Sequence, residues 1–195
     1  MDKRLALASL AVGAAGVTFV VVDRRPPAQL ELSATGITHI AQREGYADRA
    51  YADPVHGHSV PTIGFGTTQG VRSGDTTTPV RALVRLRADA AEQEVALRRC
   101  MPVPLAQREW DAVVGLAHNT GANAVCRNAE RTGPSTIVRQ LQAGNYRGAC
   151  DAILLYDRAG PVNKPEDRCS HPANRTCRGV WADRQRLRAL CLGEG

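Results

Sequence analysis

The chain has 195 residues, 43% of them hydrophobic and 23% charged, and a net charge of +6 from 25 Lys and Arg against 19 Asp and Glu. That composition builds an ordinary folded core and excludes wholesale disorder. The basic balance points to a polyanionic partner, but aromatics at 4% are too few to stack single-stranded nucleic acid, and no nucleic-acid partner is expected.

The first element is apolar. Residues 5–22, LALASLAVGAAGVTFVVV, carry no charge, and Lys3 and Arg4 precede them. As a helix this span is about 27 Å long, close to the thickness of a bilayer core at about 30 Å. The positive flank places its N-terminus in the cytoplasm. Nine of the 18 residues are Ala, Gly, Ser or Thr, so the span is weakly held. Residues 1–22 therefore read as an uncleaved export segment seated in the inner membrane. A cleaved signal peptide is the competing reading: Gly13, Ala14 and Ala15 suit a peptidase, but the run Val17 to Val22 follows them. Residues 23–32, with Arg24, Arg25, Pro26 and Pro27, read as a linker, and 33–195 as the folded domain.

The domain reads as α+β, mostly helical. Residues 33–44 place Ile37, Ile40 and Ala41 on one face, with Gly45 as the C-cap. Residues 49–66 alternate and contain Pro54, Gly57 and Pro61, which predicts a β-hairpin with a long turn. Thr78 and Pro79 open a helix to about Cys100, with Val80, Leu83, Val84, Ala91 and Val95 inward. Residues 105–118 form a helix that buries Leu105, Trp110, Val113, Val114 and Ala117. Further helices are expected at 135–143, 146–156 and 180–192.

Six cysteines, all in the second half, suggest three disulfides in an exported protein, with buried free thiols as the alternative. Cys100 and Cys126 flank the central helix and its turn. Cys169 and Cys177 bracket a polar loop, and Cys150–Cys191 completes the set. No cysteine lies in residues 1–32, so thiol exchange from the N-terminal segment is not the expected switch. No CxxC pair is present, and no metal or cofactor is expected.

Glu44 ends the first helix, Asp53 ends the first hairpin strand, and Thr62 begins the second. Two carboxylates at a cleft can divide acid and base work, one giving a proton to a leaving oxygen and the other staying ionised. Taken alone, such a pair is also what a solvated helix end and a turn present.

The surrounding residues go further. Glu44-Gly45, Ala50-Tyr51-Ala52-Asp53 and Pro61-Thr62-Ile63-Gly64-Phe65-Gly66-Thr67 resemble the active-site region of phage-type lysozymes, glycoside hydrolase family 24. Pro104 to Asn119-Thr120-Gly121, Ser135 to Tyr146, and Gly179 to Leu192 resemble that family's central, following and closing helices. The resemblance implies a lysozyme-like fold. It implies a muramidase that hydrolyses the MurNAc–GlcNAc linkage of peptidoglycan, acting as a monomeric signal-arrest-release endolysin, first tethered to the inner membrane and then freed to the periplasm. It implies Glu44 as general acid, Asp53 as the stabilising carboxylate, Thr62 as the residue that positions water, and Arg184 as a partner that orients Glu44, with a surface helix charge as the competing reading of Arg184. Tyr51 and Phe65, with Tyr46, are candidates for lining a sugar cleft, and packing is the competing role.

Three stretches depart from that pattern. Eight residues, Pro54 to Pro61, separate Asp53 from Thr62, a longer spacing than the family has; His56, His58 and Ser59 lie among them. Asn128 to Pro134 is an insertion. Pro161 to Thr176 replaces a short connection with a long polar loop. A lytic transglycosylase, which needs no hydrolytic water, and a non-enzymatic wall-binding module are the alternatives.

Overall fold

The computed structural model describes residues 6–13, 16–53 and 57–194. The fold is the α+β arrangement expected: a two-stranded hairpin beside a helical body.

The apolar N-terminal segment is not a helix here. Strands β1 (Ala6–Gly13) and β2 (Gly16–Asp23) pair antiparallel, from Ala6 opposite Asp23 to Gly13 opposite Gly16. The Val-, Thr- and Phe-rich second half favours extended backbone. Among the described residues, no helix is long and apolar enough to cross a membrane.

Residues 24–32, expected as a linker, are anchored on the helical body by four buried residues, Arg24, Pro27, Leu30 and Leu32. Arg24 is 9% exposed, forks onto Glu109 at 2.7 and 3.1 Å, and stacks 3.6 Å over the Tyr146 ring. Arg25 and Leu105 exchange backbone hydrogen bonds, and Leu30 and Leu32 are buried. Arg98 donates to the carbonyls of Pro27 and Leu30.

Helix α1 (Ala34–Glu44) starts where the Ser33 side chain accepts from the Gly36 N–H. Strands β3 (Ala47–Asp53) and β4 (Gly57–Gly64) form the hairpin, with Tyr51 opposite Thr62 and a register shift before Asp53. Helix α2 (Pro79–Cys100) opens on Thr78 and Pro79. Its buried face is Ala82, Leu86, Ala90, Glu94 and Leu97. Val80, Leu83, Val84 and Val95, expected inward, are exposed. Glu94 explains the difference. It is buried but satisfied, accepting from Leu32 N at 2.5 Å, Trp110 Nε1 at 3.0 Å and Arg87 Nη1 at 2.9 Å, so a carboxylate sits in the middle of the inward stripe.

Helix α3 (Gln107–Thr120) is the centre of the body, buried from Glu109 to Ala117. It is packed by α1, α2, α4 (Ala122–Cys126) and α7 (Arg178–Leu192), with α5 (Thr136–Gln142) and α6 (Tyr146–Asp151) outside. Disulfides Cys100–Cys126, Cys150–Cys191 and Cys169–Cys177 join α2 to α4, α6 to α7, and the two ends of one loop.

Candidate active site

Helix α1 delivers Glu44 at its last position, and Gly45, with φ of 70°, turns the chain out of the helix. The Glu44 side chain is 25% exposed, and its Oε1 accepts from Arg43 Nη1 at 2.6 Å. Its other oxygen faces the turn after β4. There Ile63 and Thr67 exchange both backbone hydrogen bonds around Gly64 and Gly66. Gly66 has φ of 84°, and a Cβ on it would lie 3.1 Å from Glu44 Oε2. Only glycine takes that backbone shape freely while letting the carboxylate approach. Thr67 Oγ1 donates to Asp89 Oδ2 on α2 at 2.8 Å, which pins the turn from the far side. The Thr-Ile-Gly-Phe-Gly-Thr stretch is thus held between α1 and α2, with Thr62 buried at 4% exposure just before it.

Asp53 ends β3 opposite Gly57. Its side chain, residue His56, and the side chains of His58 and Ser59 lie outside the described residues.

Arg43 is shared. While Nη1 holds Glu44, its Nε lies 3.3 Å from Oδ2 of Asp183 on α7. Asp183 is 1% exposed, and its Oδ1 lies 3.3 Å from His39 Nε2. Burial pushes its carboxyl up, but the His39 hydrogen bond and the Arg43 and Arg184 guanidiniums outweigh burial and hold it below the usual carboxylate range. His118, in the last turn of α3, belongs to the same surroundings. Desolvation pushes its pKa below the ordinary histidine value; the charges of Glu44 and Asp89 oppose that, and Arg43 adds to it.

The sequence pairs Arg184 with Glu44; the structure does not. Arg184 is buried at 1% exposure and donates to Asp183, to Asn119 Oδ1 and, at 3.0 Å, to the Tyr156 carbonyl. Helix α7 turns this position into the body against the end of α3, and the neighbouring Arg43 takes the place beside Glu44. Arg43, His39, Asp89, His118 and Asp183 carry no motif of their own. The one available signal was adjacency, Arg43 to Glu44 and His118 to Asn119. Phe65 is half-buried with its ring 5.4 Å from that of Tyr46, whose hydroxyl donates to the Thr77 carbonyl. Tyr51 stands 41% exposed on the hairpin. Among the described residues, no cluster of three or more His, Cys, Asp or Glu side chains could hold a metal ion.

Residues 41–166 match the family described as phage lysozyme. The endolysin of Salmonella phage P22 is 35% identical over 136 residues, covering 67% of this chain and 86% of its own length. The crystal structure of a mutant P22 lysozyme superposes with a TM-score of 0.65 at 32% identity, over 84% of this chain and 99% of that one. The SAR-endolysin of Pseudomonas phage phiKMV is 28% identical over 125 residues, 64% of this chain and 71% of its length.

Proposed function

The chain belongs to the phage lysozyme family, and from that premise we propose that Glu44 gives the proton that releases the glycosidic oxygen of peptidoglycan. The protein is a muramidase-type endolysin, a glycoside hydrolase whose substrate is the bacterial wall. In the proposed mechanism Glu44 protonates the bridging oxygen as the bond to MurNAc breaks. Positive charge grows on the sugar ring, and the Asp53 carboxylate stabilises it. Thr62 positions the attacking water, and a Glu44 carboxylate left by the first step can take that water's proton. The observation that carries the assignment is the seat of Glu44, fixed by Arg43 on one side and packed against the Gly66 turn on the other. A carboxyl already fixed in place saves reorientation during reaction.

The product identifies the reaction. Purified protein acting on purified peptidoglycan releases new reducing ends if water is the acceptor. A 1,6-anhydro end would assign a lytic transglycosylase instead.

The N-terminal segment is read as a signal-arrest-release anchor. What supports this is its length, its half content of small residues, and the name of the phiKMV relative. A two-stranded sheet leaves edge N–H and C=O groups that a bilayer core cannot satisfy. In this reading the tethered form holds residues 5–22 as a helix, and the paired strands belong to the released form. The released protein acts as a monomer in the periplasm. Fractionation tests the sequence of events: membrane first, soluble fraction later, with residue 1 or 2 as the N-terminus throughout.

A further inference from the structure

The two insertions, Asn128 to Pro134 and Pro161 to Thr176, meet on the surface of the helical body. With the residues beside them they enclose a recess of about 360 Å³. Four arginines surround it: Arg127, Arg139, Arg158 and Arg168. Glu130 is the single acid among its lining residues. Arg168 is held by Asp157 Oδ1 at 2.7 Å, and Arg139 by the Pro134 carbonyl and Thr136. The side chains of Arg127 and Arg158 have no hydrogen-bond or ion-pair partner among the described residues. Asp157 offsets Arg168 and Glu130 adds a second negative charge, which leaves a net positive recess that a bound anion neutralises.

Both walls are built in advance. Arg127 bridges Pro134, and Asn128 and Gly133 bond each other through backbone and side chain at 3.0 and 3.1 Å, closing the first loop. Buried Asp157 organises the second. Its carboxylate accepts from Arg168 and Ser170 and its carbonyl from the Cys169 N–H, beside the Cys169–Cys177 bridge. Little ordering entropy is then lost when a ligand binds. Between the arginines lie Leu155, which is 58% exposed, and the Tyr156 ring. An inorganic anion would use only the guanidiniums. A ligand with carboxylates and small apolar side chains uses both. The recess is also joined to the active site: the Tyr156 carbonyl accepts from Arg184, which pairs with Asp183, the second anchor of Arg43.

We propose that this arginine recess is a subsite for the carboxylates of an acidic, alanine-bearing peptide, supplied by the peptide stems of peptidoglycan. The identity of the ligand rests on the muramidase reading. Guanidiniums bind carboxylates through paired N–H donors, so affinity depends on the charged form of the peptide.

The test reads binding rather than cleavage, so it stands or falls apart from the muramidase reading. Calorimetry on the full chain uses the synthetic tetrapeptide L-Ala–D-Glu–diaminopimelate–D-Ala as probe. The wild type should bind it, with affinity that weakens as salt rises. The double variant Arg127→Ala, Arg158→Ala should bind about tenfold more weakly while melting at the wild-type temperature, because neither side chain has a partner to lose. A tetrapeptide with amidated carboxyls should lose a similar factor. Glu44→Gln should bind as the wild type does, which separates this recess from the catalytic carboxyl. Equal binding by the double variant, equal binding of the amidated peptide, or displacement of the peptide by an equimolar concentration of inorganic phosphate would overturn the proposal. The last result would assign an undiscriminating anion patch.

Discussion

Arg43 and Glu44 are neighbours in sequence and an ion pair in space, with Nη1 2.6 Å from Oε1. Adjacent residues on a helix point about 100° apart, so this contact needs a long, forked side chain that bends back. The fork has a second use, because Nε reaches the buried Asp183 at 3.3 Å. Asp183 is thus a positioning residue that acts on Glu44 through Arg43.

Asp183→Asn keeps the shape and removes the charge. Arg43 loses its second anchor, and Glu44 loses its fixed orientation. Small misplacements of a reacting group cost up to about 100-fold in rate. Turnover on peptidoglycan should fall roughly tenfold or more with little change in KM, since the substrate does not touch Asp183. Arg43→Lys should not restore the pair of contacts, because an ammonium has no fork. Steady-state kinetics beside a melting curve checks this. Wild-type turnover in Asp183→Asn would remove Asp183 from the account.

Histidine 118 sets a pH dependence of stability. Its folded pKa lies below the ordinary value, so at mildly acidic pH the unfolded chain binds a proton that the folded chain refuses. Stability is full above the unfolded value of about 6.5 and falls as pH drops through it. His118→Gln should flatten the decline in melting temperature between about pH 7 and pH 5. Asp183, held below the usual carboxylate range, acts in the same direction at lower pH: its stabilisation is complete above about pH 4 and is lost beneath it. Parallel melting curves for wild type and His118→Gln over that range would contradict the first assignment.

Buried Glu94 ties α2 to α3 and to the chain before α1. Glu94→Ala leaves the Trp110 and Leu32 N–H groups without their acceptor, while Arg87 keeps its pair with Glu31. Each buried donor left without an acceptor costs about 1–3 kcal/mol. Chemical denaturation should show a loss of that size, and a loss under about 1 kcal/mol would mean water replaces the carboxylate.

Much of this architecture was legible because local chemistry agreed with the tertiary fold. Ser33, Thr78-Pro79 and Gly45 are strong helix signals, and the helices begin and end there. The Thr-Ile-Gly-x-Gly stretch led to the turn that Glu44 faces. Legibility failed where a long-range contact reversed a local rule. Glu94 sits in the inward stripe of α2 because distant donors satisfy it, so the apolar stripe Val80, Val84 and Val95 drew the wrong face. Arg24 to Leu32 looks like a linker by composition, yet Glu109 and Tyr146, far along the chain, receive Arg24. Arg184 is a surface-type residue that α7 turns inward onto Asn119 and Tyr156. The N-terminal run is long enough for a membrane helix, yet its second half is rich in β-branched residues, and its described residues pair as strands.

Replacing Gly13, Ala14, Ala15 and Gly16 with Leu tests the anchor. Central leucines each favour insertion by a few tenths of a kcal/mol, roughly −0.3 to −0.6, where Gly and Ala contribute less or oppose it. The protein should remain in the membrane fraction, and lysis should be delayed or absent. Lysis on the wild-type schedule, or a mature N-terminus near residue 15, would replace the release account with a cleaved signal peptide.

The most direct measurement is turnover of purified peptidoglycan by Glu44→Gln. The substitution keeps the size of the side chain and its place beside Arg43 but removes the transferable proton. General acid catalysis contributes about 10²- to 10⁴-fold, so turnover should fall by at least about 100-fold. The melting temperature should stay near that of the wild type, because a surface-reaching side chain is exchanged for its isostere. A folded Glu44→Gln protein that still cleaves the wall at the wild-type rate would contradict the assignment of the proton donor.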